Sequence, residues 1–429
     1  MKVKKLVATV AVFGAGFAAF STGATVQAEP VSNSYVVVGS DTIEDVLNAL
    51  VNGTAITGAT VRVTQNGATL GSFDATGGPS IITRPGGVRF SRPNGSSEGF
   101  QALSASISTD PASQIFTSGT YQPVGVASVS KTAVPNYWMA KSLRNVNIFG
   151  QVDIARSSSS LPASTTLDAA AGTIARIPFG RDAFGLAFTP SLATKVCDAG
   201  QDSDAGAGCA PYLTTSQLKS IFDANGAGTF STLTIGTTEV PVKGIMPQQG
   251  SGTYNDFTKS ANTDKTLEAG NFSAGEIGYS QEHDATGLTG DQVMPMSASR
   301  WIAMKNGASF NRAGTAILGS IFTTTTQGAS PVVGAAGTMT PNPAYYADTT
   351  WGRDTFLFVE RARITSGDAK YDANLAALMD PSLNKLANVE TTGSSKAGKV
   401  KALYGLLPPV ITAVTFYTAK PQTAVLDND

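Results

Sequence analysis

The sequence is poor in charge. Aspartate, glutamate, lysine and arginine supply 14% of its 429 residues, against roughly 25% in an average soluble domain. Basic and acidic residues number 30 and 31, so neither sign dominates. Nucleic-acid surfaces need clustered lysine and arginine, and such clustering is missing after the N-terminal MKVKK. We therefore expect no nucleic-acid partner.

Histidine is nearly absent, which restricts the chemistry available. His283 is the only one, so a Ser–His–Asp hydrolase would depend on it, and the sequence has no G-x-S-x-G elbow. Three S-x-x-K matches lack the K-T-G and S-D-N partners of acyl-enzymes. GSSKAGKV resembles a P-loop but has Val400 where serine or threonine binds Mg²⁺. We predict a protein that is not an enzyme and uses no cofactor or metal, with His283 in a surface or interlobe hydrogen-bonding role.

Cysteine is equally scarce. Cys197 and Cys209 are the only two, and they flank a Gly/Ala/Asp loop in VCDAGQDSDAGAGC. Two thiols without further ligands nearby make a poor metal site. In an oxidising compartment this spacing favours a local disulfide.

Apolar runs long enough to span a bilayer are also missing. At the N-terminus, basic MKVKK, apolar LVATVAVFGAGFAAF and the small-x-small VQA have the order of a secretory signal peptide. We expect residues 1–28 to be removed by cleavage after Ala28. Because cysteine does not follow the apolar run, we expect no lipid anchor. The mature protein should be secreted, or held in the cell wall or periplasmic space.

A strand–turn–helix pattern recurs along the chain. YVVVG is a β-branched run typical of a buried strand, and Ile43, Val46, Leu47 and Leu50 follow it at helical spacing. VRFSRPNGSSEGF, NVNIFGQVDIARSSSS and VPVKGIMPQQGSGTYNDF give three further junctions. This alternation predicts an α/β fold with mixed, mostly parallel sheets and helices on both faces.

Glycine and hydroxyl residues mark these junctions. Thr42 with Asp45, and Thr253 with Asp256, have the spacing of a capping box. A helix N-terminus also presents unsatisfied N–H groups and partial positive charge, and glycine lets the backbone approach a ligand. Because the ends of parallel strands meet at one crevice, several such junctions can form a site for a tetrahedral oxyanion.

The order of the motifs resembles a known family. GSDT, RPNGSS, DIARSS, IPFGRDAFGLAF and PQQGSGT follow one another as in the phosphate-binding proteins of bacterial ABC importers, nearest to the divergent versions of high-GC Gram-positive bacteria. TTSQLKSIFDA, QEHD and VMPMSASRWIAM also fit, so the resemblance covers most of the mature chain. It implies a type II periplasmic-binding fold, in which two α/β lobes joined by two crossing strands hold an anion. The implied partners are inorganic phosphate or a similar oxyanion and an ABC permease at the membrane surface, and we expect a monomer.

The resemblance also assigns ligand-binding residues. The motif serine falls on Ser96, and the first-junction hydroxyl falls on Thr42 or on its neighbours Ser40 and Asp41. The candidate set is Ser40, Asp41, Thr42, Ser96, Ser97, Arg156, Ser157, Ser158, Ser251, Gly252 and Thr253.

Two departures from the family concern the charge of the site. Pro247 stands where the family often has an arginine before the SGT serine, and Tyr254 stands where the divergent group has one after SGT. Arg156 is the candidate cation instead. The family's ligand-binding aspartate is replaced by Ser158, which leaves Asp41 as the candidate acceptor for a protonated oxyanion.

The mature chain divides into two lobes in this interpretation. Lobe I comprises residues 31–174 and 292–429 and lobe II residues 175–291, with crossings near RIPFGRD and GDQVMPM. Arg156 and Arg181 both remain open between ligand binding and a structural salt bridge. An alternative function also stays open, that of an exported structural or adhesion protein that kept the fold and lost the ligand. The missing arginines favour that alternative.

Overall fold

Runs of β-branched and aromatic residues form the strands of this protein, and glycine, serine or proline commonly ends them. A computed structural model describes residues 35–56, 59–61, 70–72, 80–93, 95–116, 145–159, 168–203, 208–222, 231–247, 251–261, 279–280, 282–323, 328–390 and 395–419. The predicted signal peptide over residues 1–28 lies outside these ranges. Within them, no helix combines the length and apolar character needed to cross a membrane.

Helices and strands alternate along much of the chain. The helices are α1 (Glu44–Asn52), α2 (Ser96–Ile107), α3 (Pro190–Asp198), α4 (Thr215–Phe222), α5 (Gly252–Ser260), α6 (Ala298–Lys305), α7 (Pro343–Tyr346), α8 (Arg361–Ile364), α9 (Ala373–Leu378) and α10 (Lys396–Leu403). The strands are β1 (Tyr35–Gly39), β2 (Thr54–Ile56), β3 (Ala59–Val61), β4 (Leu70–Ser72), β5 (Ser80–Ile82), β6 (Arg89–Ser91), β7 (Ile115–Phe116), β8 (Val146–Asn147), β9 (Ile154–Ser157), β10 (Ile174–Phe188), β11 (Tyr212–Thr214), β12 (Ser231–Ile235), β13 (Thr238–Gly244), β14 (Met246–Pro247), β15 (Tyr279–Ser280), β16 (Gln292–Ser297), β17 (Ile317–Phe322), β18 (Val332–Val333), β19 (Thr340–Pro341), β20 (Gly352–Glu360) and β21 (Thr415–Tyr417).

One mixed sheet runs through the described part of the chain. Its path is β12-β13-β16-β10-β20-β9-β1-β4, and β17 and β21 also pair with β10. Strand β1 is parallel to β4 and β9, and β13 is parallel to β16. Strand β10 runs antiparallel to β16, β17, β20 and β21. The predicted α/β class is therefore confirmed, whereas the antiparallel ladders of β10 make the sheet mixed rather than mostly parallel.

Strand β10 connects the apolar clusters of the molecule. All 15 of its residues are buried. Ile174 at its start packs in a cluster with Phe358, whereas Phe184 near its end packs in another cluster with Phe257. Ile177 belongs to a third cluster and Ala187 to a fourth. A single strand thus contributes to all four buried clusters.

The ladder between β10 and β20 contains one irregularity. Its register shifts between Pro178 and Gly180, so Phe179 has no residue opposite it. Lys401, on α10, donates from Nζ to the Phe179 carbonyl at 2.7 Å, and its Nζ lies 3.8 Å from the centre of that ring. Burial lowers the pKa of Lys401 well below its usual range. Lys401 therefore supplies the hydrogen bond that the Phe179 carbonyl does not receive from β20.

One segment assigned to lobe I packs together with residues assigned to lobe II. Ile321 of β17 and Tyr345 of α7, which the sequence assigns to lobe I, belong to the same buried cluster as Leu218 and Phe257 of the predicted lobe II. The reason is that β17 pairs with β11, which draws this segment back to that cluster. The lobe division itself stays a prediction.

The predicted disulfide is present. Cys197, in the last turn of α3, is bonded to Cys209, and their Cα atoms lie 5.9 Å apart. Cys209 packs at the edge of the cluster around Phe184 and Leu192. The bond therefore fastens the loop before β11 to the core.

Replacing both cysteines by serine should lower the free energy of unfolding by about 3 kcal/mol, because the cross-link restricts the unfolded chain. Urea unfolding of the wild type and of Cys197→Ser/Cys209→Ser measures the difference. A reductant should lower the midpoint of the wild type and leave that of the double variant unchanged. Equal midpoints for the two proteins without reductant would contradict this prediction.

Candidate functional site

Residues from all four predicted junctions lie together. Ser158, which follows β9, donates its N–H to Ser96 Oγ at 3.1 Å and accepts a hydrogen bond from Ser40 Oγ at 3.0 Å. Gly252, at the start of α5, lies against the same hydroxyls. A Cβ on Gly252 would stand 2.3 Å from Ser158 Oγ and 2.5 Å from Ser96 Oγ. The absence of a side chain at Gly252 is what allows α5 to approach the other junctions.

The positive ends of two helices meet at this point. Helix α2 begins at Ser96 and α5 begins at Gly252, and each helix N-terminus carries the equivalent of roughly half a positive charge. Asn255 Nδ2 donates to Ser97 Oγ at 3.4 Å, which joins the first turns of the two helices. Two like ends in contact repel each other unless a negative group lies nearby. The junction therefore favours an anion.

Thr42 and Thr253 do not cap their helices, so the capping-box prediction is wrong for both. The N-cap of α5 is Ser251, whose Oγ accepts a hydrogen bond from the Tyr254 N–H at 2.9 Å. Helix α1 begins at Glu44 without a side-chain cap. Both threonine hydroxyls are consequently available to the junction.

The two paired strands at the centre of the sheet carry one motif twice. Gly-Arg-Asp-x-Phe occurs in β10 and again in β20, and their antiparallel pairing sets Arg181 opposite Asp354 and Asp182 opposite Arg353. Two reciprocal ion pairs result, with Arg181 Nη1 at 2.8 Å from Asp354 Oδ1 and Arg353 Nη2 at 3.0 Å from Asp182 Oδ2. Both pairs are buried. Of the two roles left open for Arg181, the structure gives it the salt bridge, across the ladder rather than to the neighbouring Asp182.

The two arginines use their other donors differently. Arg181 donates to two main-chain carbonyls. Arg353 donates from Nη2 to Thr42 Oγ1 at 3.2 Å and to Thr253 Oγ1 at 2.9 Å. Among the residues that the structure describes, Arg353 Nη1 has no hydrogen-bond partner, although the side chain is buried. Arg353 therefore presents a positively charged donor between the first and fourth junctions.

Sequence reasoning missed Arg353. The signal that could have found it is the repeat of Gly-Arg-Asp-x-Phe within two apolar runs. Arginine is almost never fully buried unless it is paired. Two such motifs therefore predict that the arginine of each pairs with the aspartate of the other.

A carboxylate lies between the two threonine hydroxyls. Glu282 Oε1 accepts hydrogen bonds from Thr42 Oγ1 at 2.9 Å and from Thr253 Oγ1, and it lies 3.0 Å from His283 Nε2. Burial alone would raise the pKa of Glu282, but the hydrogen bonds from His283 and Thr253 and the charge of Arg353 outweigh burial and lower that pKa below its usual range. Glu282 is thus ionised at neutral pH and was not among the sequence candidates.

His283 is held as a neutral donor. The Ser297 N–H donates to His283 Nδ1 at 3.2 Å, so the proton of the neutral ring is on Nε2. Burial lowers the pKa of His283, and the charge of Glu282 offsets this effect only in part. The backbone of His283 has φ 64°, a conformation that residues other than glycine seldom adopt and that is found at functional sites. Its hydrogen-bonding role is therefore in the interior rather than at the surface.

Asp41 is buried close to these groups. Burial, followed by the negative charge of Glu282, raises the pKa of Asp41 to about 7, while Arg92, Arg156 and Arg300 act in the opposite direction. The Asp41 side chain therefore exists in both protonation states near neutral pH.

Arg156 lies buried beneath the first junction. It donates from Nε to the Ser40 carbonyl at 3.1 Å, from Nη2 to the Gly39 carbonyl at 2.9 Å and from Nη1 to Ser72 Oγ at 2.7 Å. The Ser157 hydroxyl also bonds locally, to a carbonyl two residues along the chain at 2.9 Å. These contacts fix the shape of the junctions that β1 and β9 lead into.

No protein-family model matches the sequence, and no curated protein does. Solved structures are similar over most of its length. An ABC-type phosphate transport receptor from Vibrio cholerae is 13% identical with a TM-score of 0.40, over 88% of this chain and 100% of that chain. PstS from Borrelia burgdorferi is 11% identical with a TM-score of 0.35, over 87% and 98%. The high-affinity periplasmic phosphate-binding protein PfluDING, bound with phosphate, is 14% identical with a TM-score of 0.42, over 87% and 90%. The chain is similar to phosphate-binding receptors, and the case for its site rests on its own residues.

Gly252→Ala should lower the free energy of unfolding by about 1–3 kcal/mol, as overpacking typically does. The added methyl group would force Ser158 Oγ and Ser96 Oγ to give up their present positions, and with them the bonds to Ser40 Oγ and to the Ser158 N–H.

Gly287→Ala is the matched control, because a Cβ there would meet no atom within 4 Å. Thermal and urea unfolding measure the stability of the wild type, Gly252→Ala and Gly287→Ala. A Gly252→Ala protein as stable as the Gly287→Ala protein would show that α5 does not depend on this close approach.

Proposed function

We propose that this chain is an exported solute-binding protein that holds an oxyanion, inorganic phosphate in the first place, where α2 and α5 meet, for uptake by an ABC permease. The observation that carries the proposal is Arg353. Its buried guanidinium bridges Thr42 and Thr253, and its Nη1 has no hydrogen-bond partner among the described residues. A buried charged donor without an acceptor is costly, and a bound anion would supply that acceptor.

The surrounding donors support the same proposal. Ser96 and Gly252 begin the two helices, and Ser158 lies against both, where N–H groups and helix dipoles favour negative charge. Ser40 extends this set through its bond to Ser158. Hydrogen bonds to a charged group contribute about 1.5–3 kcal/mol each, so a few of them suffice for tight binding.

Arg353 takes the charge-balancing role that the sequence suggested for Arg156. The guanidinium of Arg156 is bonded to the carbonyls of Gly39 and Ser40, so in our proposal it keeps these acceptor oxygens turned away from the anion. Three further serines hold the junctions in place in our proposal without contacting the anion. Ser97 accepts from Asn255, Ser157 donates to a main-chain carbonyl, and Ser251 accepts from the Tyr254 N–H.

One observation favours the second candidate, an exported structural or adhesion protein that no longer binds an anion. The hydroxyls of Thr42 and Thr253 are already bonded to Glu282. A permanent internal carboxylate of this kind would satisfy the site without a ligand.

Phosphate titration of the mature chain tests the proposal. Phosphate should raise the melting temperature progressively, with the logarithm of its concentration above the dissociation constant, because a ligand bound only by the folded state stabilises it. Arg353→Lys should lose roughly 10- to 100-fold in phosphate affinity by calorimetry, since lysine does not reproduce the planar fork of arginine.

Arg181→Lys is the control variant, because it makes the same change at the same place in the repeated motif. It should unfold more easily and keep the phosphate affinity of the wild type. A wild type whose melting temperature does not respond to phosphate would overturn the proposal in favour of the structural or adhesion protein.

Asp41 is our proposed acceptor for the proton of a hydrogen phosphate. Sulfate carries no proton near neutral pH and is repelled by the Asp41 carboxylate. Because the pKa of Asp41 is raised to about 7, the repelling carboxylate prevails above that pH and the neutral acid below it. Sulfate affinity should therefore rise by up to about tenfold as the pH falls from about 8 to about 6, because only the protonated fraction of the protein admits sulfate.

Asp41→Asn should bind sulfate with little dependence on pH, and its preference for phosphate over sulfate should be narrower. Calorimetry with sulfate at both pH values decides this. The same pH dependence in the variant and the wild type would exclude Asp41 as the discriminating group.

A further inference from the structure

We propose that Glu282 is an internal anion which fills the binding site of the ligand-free protein, so that an external oxyanion enters only by displacing this carboxylate. The inference rests on the proposed function, since it concerns the same site. It assigns to Glu282 the role of a built-in competitor.

The hydrogens of both threonine hydroxyls are already bonded to Glu282. Thr42 Oγ1 and Thr253 Oγ1 each have one hydrogen, and each donates it to Glu282 Oε1. The oxygen atoms of both hydroxyls accept from Arg353 Nη2. While Glu282 is in place, these hydroxyls can give no hydrogen to another anion.

The imidazole of His283 leads to the same conclusion. Its Nδ1 accepts from the Ser297 N–H, so the ring has one hydrogen, on Nε2. That nitrogen lies 3.0 Å from both Glu282 Oε1 and Thr42 Oγ1. The single hydrogen on Nε2 is thus directed at Glu282 and Thr42. An external anion can accept it only when the Glu282 carboxylate has moved away.

The charges explain why the competitor is a carboxylate. Arg353 and the N-termini of α2 and α5 place positive charge in a buried region, and a negative group there lowers the electrostatic energy. Glu282 supplies this group from within the chain. Arg353 Nη1, which has no hydrogen-bond partner among the described residues, shows that the carboxylate does not satisfy every donor. An incoming oxyanion with more oxygen atoms than a carboxylate can satisfy more of them.

In this proposal, displacement is a rotation of the Glu282 side chain. The glutamate side chain has three rotatable torsions, and rotation moves the carboxylate away while His283 stays bonded to the Ser297 N–H. The observed affinity for an external anion is then the intrinsic affinity reduced by the fraction of molecules in which Glu282 occupies the site.

Glu282→Gln and Glu282→Ala test the inference with inorganic phosphate as the probe. Both variants should bind phosphate at least about fivefold more tightly than the wild type, because removal of a coupled competitor releases its coupling free energy. Glu282→Gln keeps the shape of the side chain and so separates the effect of charge from that of packing. Glu360→Gln is the matched control, since that carboxylate bonds Lys370 at the far end of β20, and its phosphate affinity should equal that of the wild type.

A second measurement does not depend on affinity. Without phosphate, Glu282→Ala should melt at a lower temperature than the wild type, because the positive groups have lost their anion. Phosphate should raise its melting temperature by more than it raises that of the wild type. Weaker phosphate binding by both folded variants would overturn the inference and make Glu282 a direct partner of the ligand.

The outcomes also separate this inference from the proposed function. Phosphate binding by Glu282→Ala but not by the wild type would support the internal competitor and overturn the proposed uptake function. Phosphate binding by the wild type, together with unchanged or weaker binding by both variants, would support the proposed uptake function and overturn the internal competitor. No binding by any of these proteins would overturn both.

Discussion

The antiparallel pairing of β10 with β20 is the constraint on which the site depends. Because both strands carry Gly-Arg-Asp-x-Phe, one register satisfies two buried arginines and two buried aspartates at once. A shift by one residue would leave four charges unpaired in the interior, at a cost of several kcal/mol for each. The register that avoids this cost also carries Arg353 to the place where Thr42 and Thr253 meet.

Positive charge is concentrated around Arg353, although charged residues make up only 14% of the sequence. The two helix N-termini meet because Gly252 has no side chain, and the serine hydroxyls of the other junctions fill the remaining space. Glu282 balances part of this charge from within the chain. Ligand binding is therefore linked to the stability of the folded protein. An anion that enters must stabilise the positive groups at least as well as Glu282 does.

The sequence predicts the local parts of this arrangement well. Each junction is a contiguous run, so glycine, serine and threonine between a strand and a helix identify it, and Ser96, Ser158 and Gly252 do lie together. The spacing of Thr42 and Thr253 indicated helix caps, yet hydroxyls that can cap can equally serve a distant carboxylate. Arg353 and Glu282 were missed because the contacts that bring them to Thr42 join distant parts of the chain, 311 and 240 residues apart. Only the repeated Gly-Arg-Asp-x-Phe hinted at such a contact.

The extra residue in β10 makes the ladder depend on a distant helix. The Phe179 carbonyl, left without a ladder partner by the register shift, bonds the ammonium group of Lys401. Burying that ammonium requires the same carbonyl and that of Asn388 as acceptors, so the bulge and α10 stabilise each other. The strand that pairs with Arg353 therefore depends, for the shape of its bulge, on a helix more than 200 residues downstream. A substitution in α10 that removes the Lys401 amine can thus disturb the ladder that places Arg353, without touching the site itself.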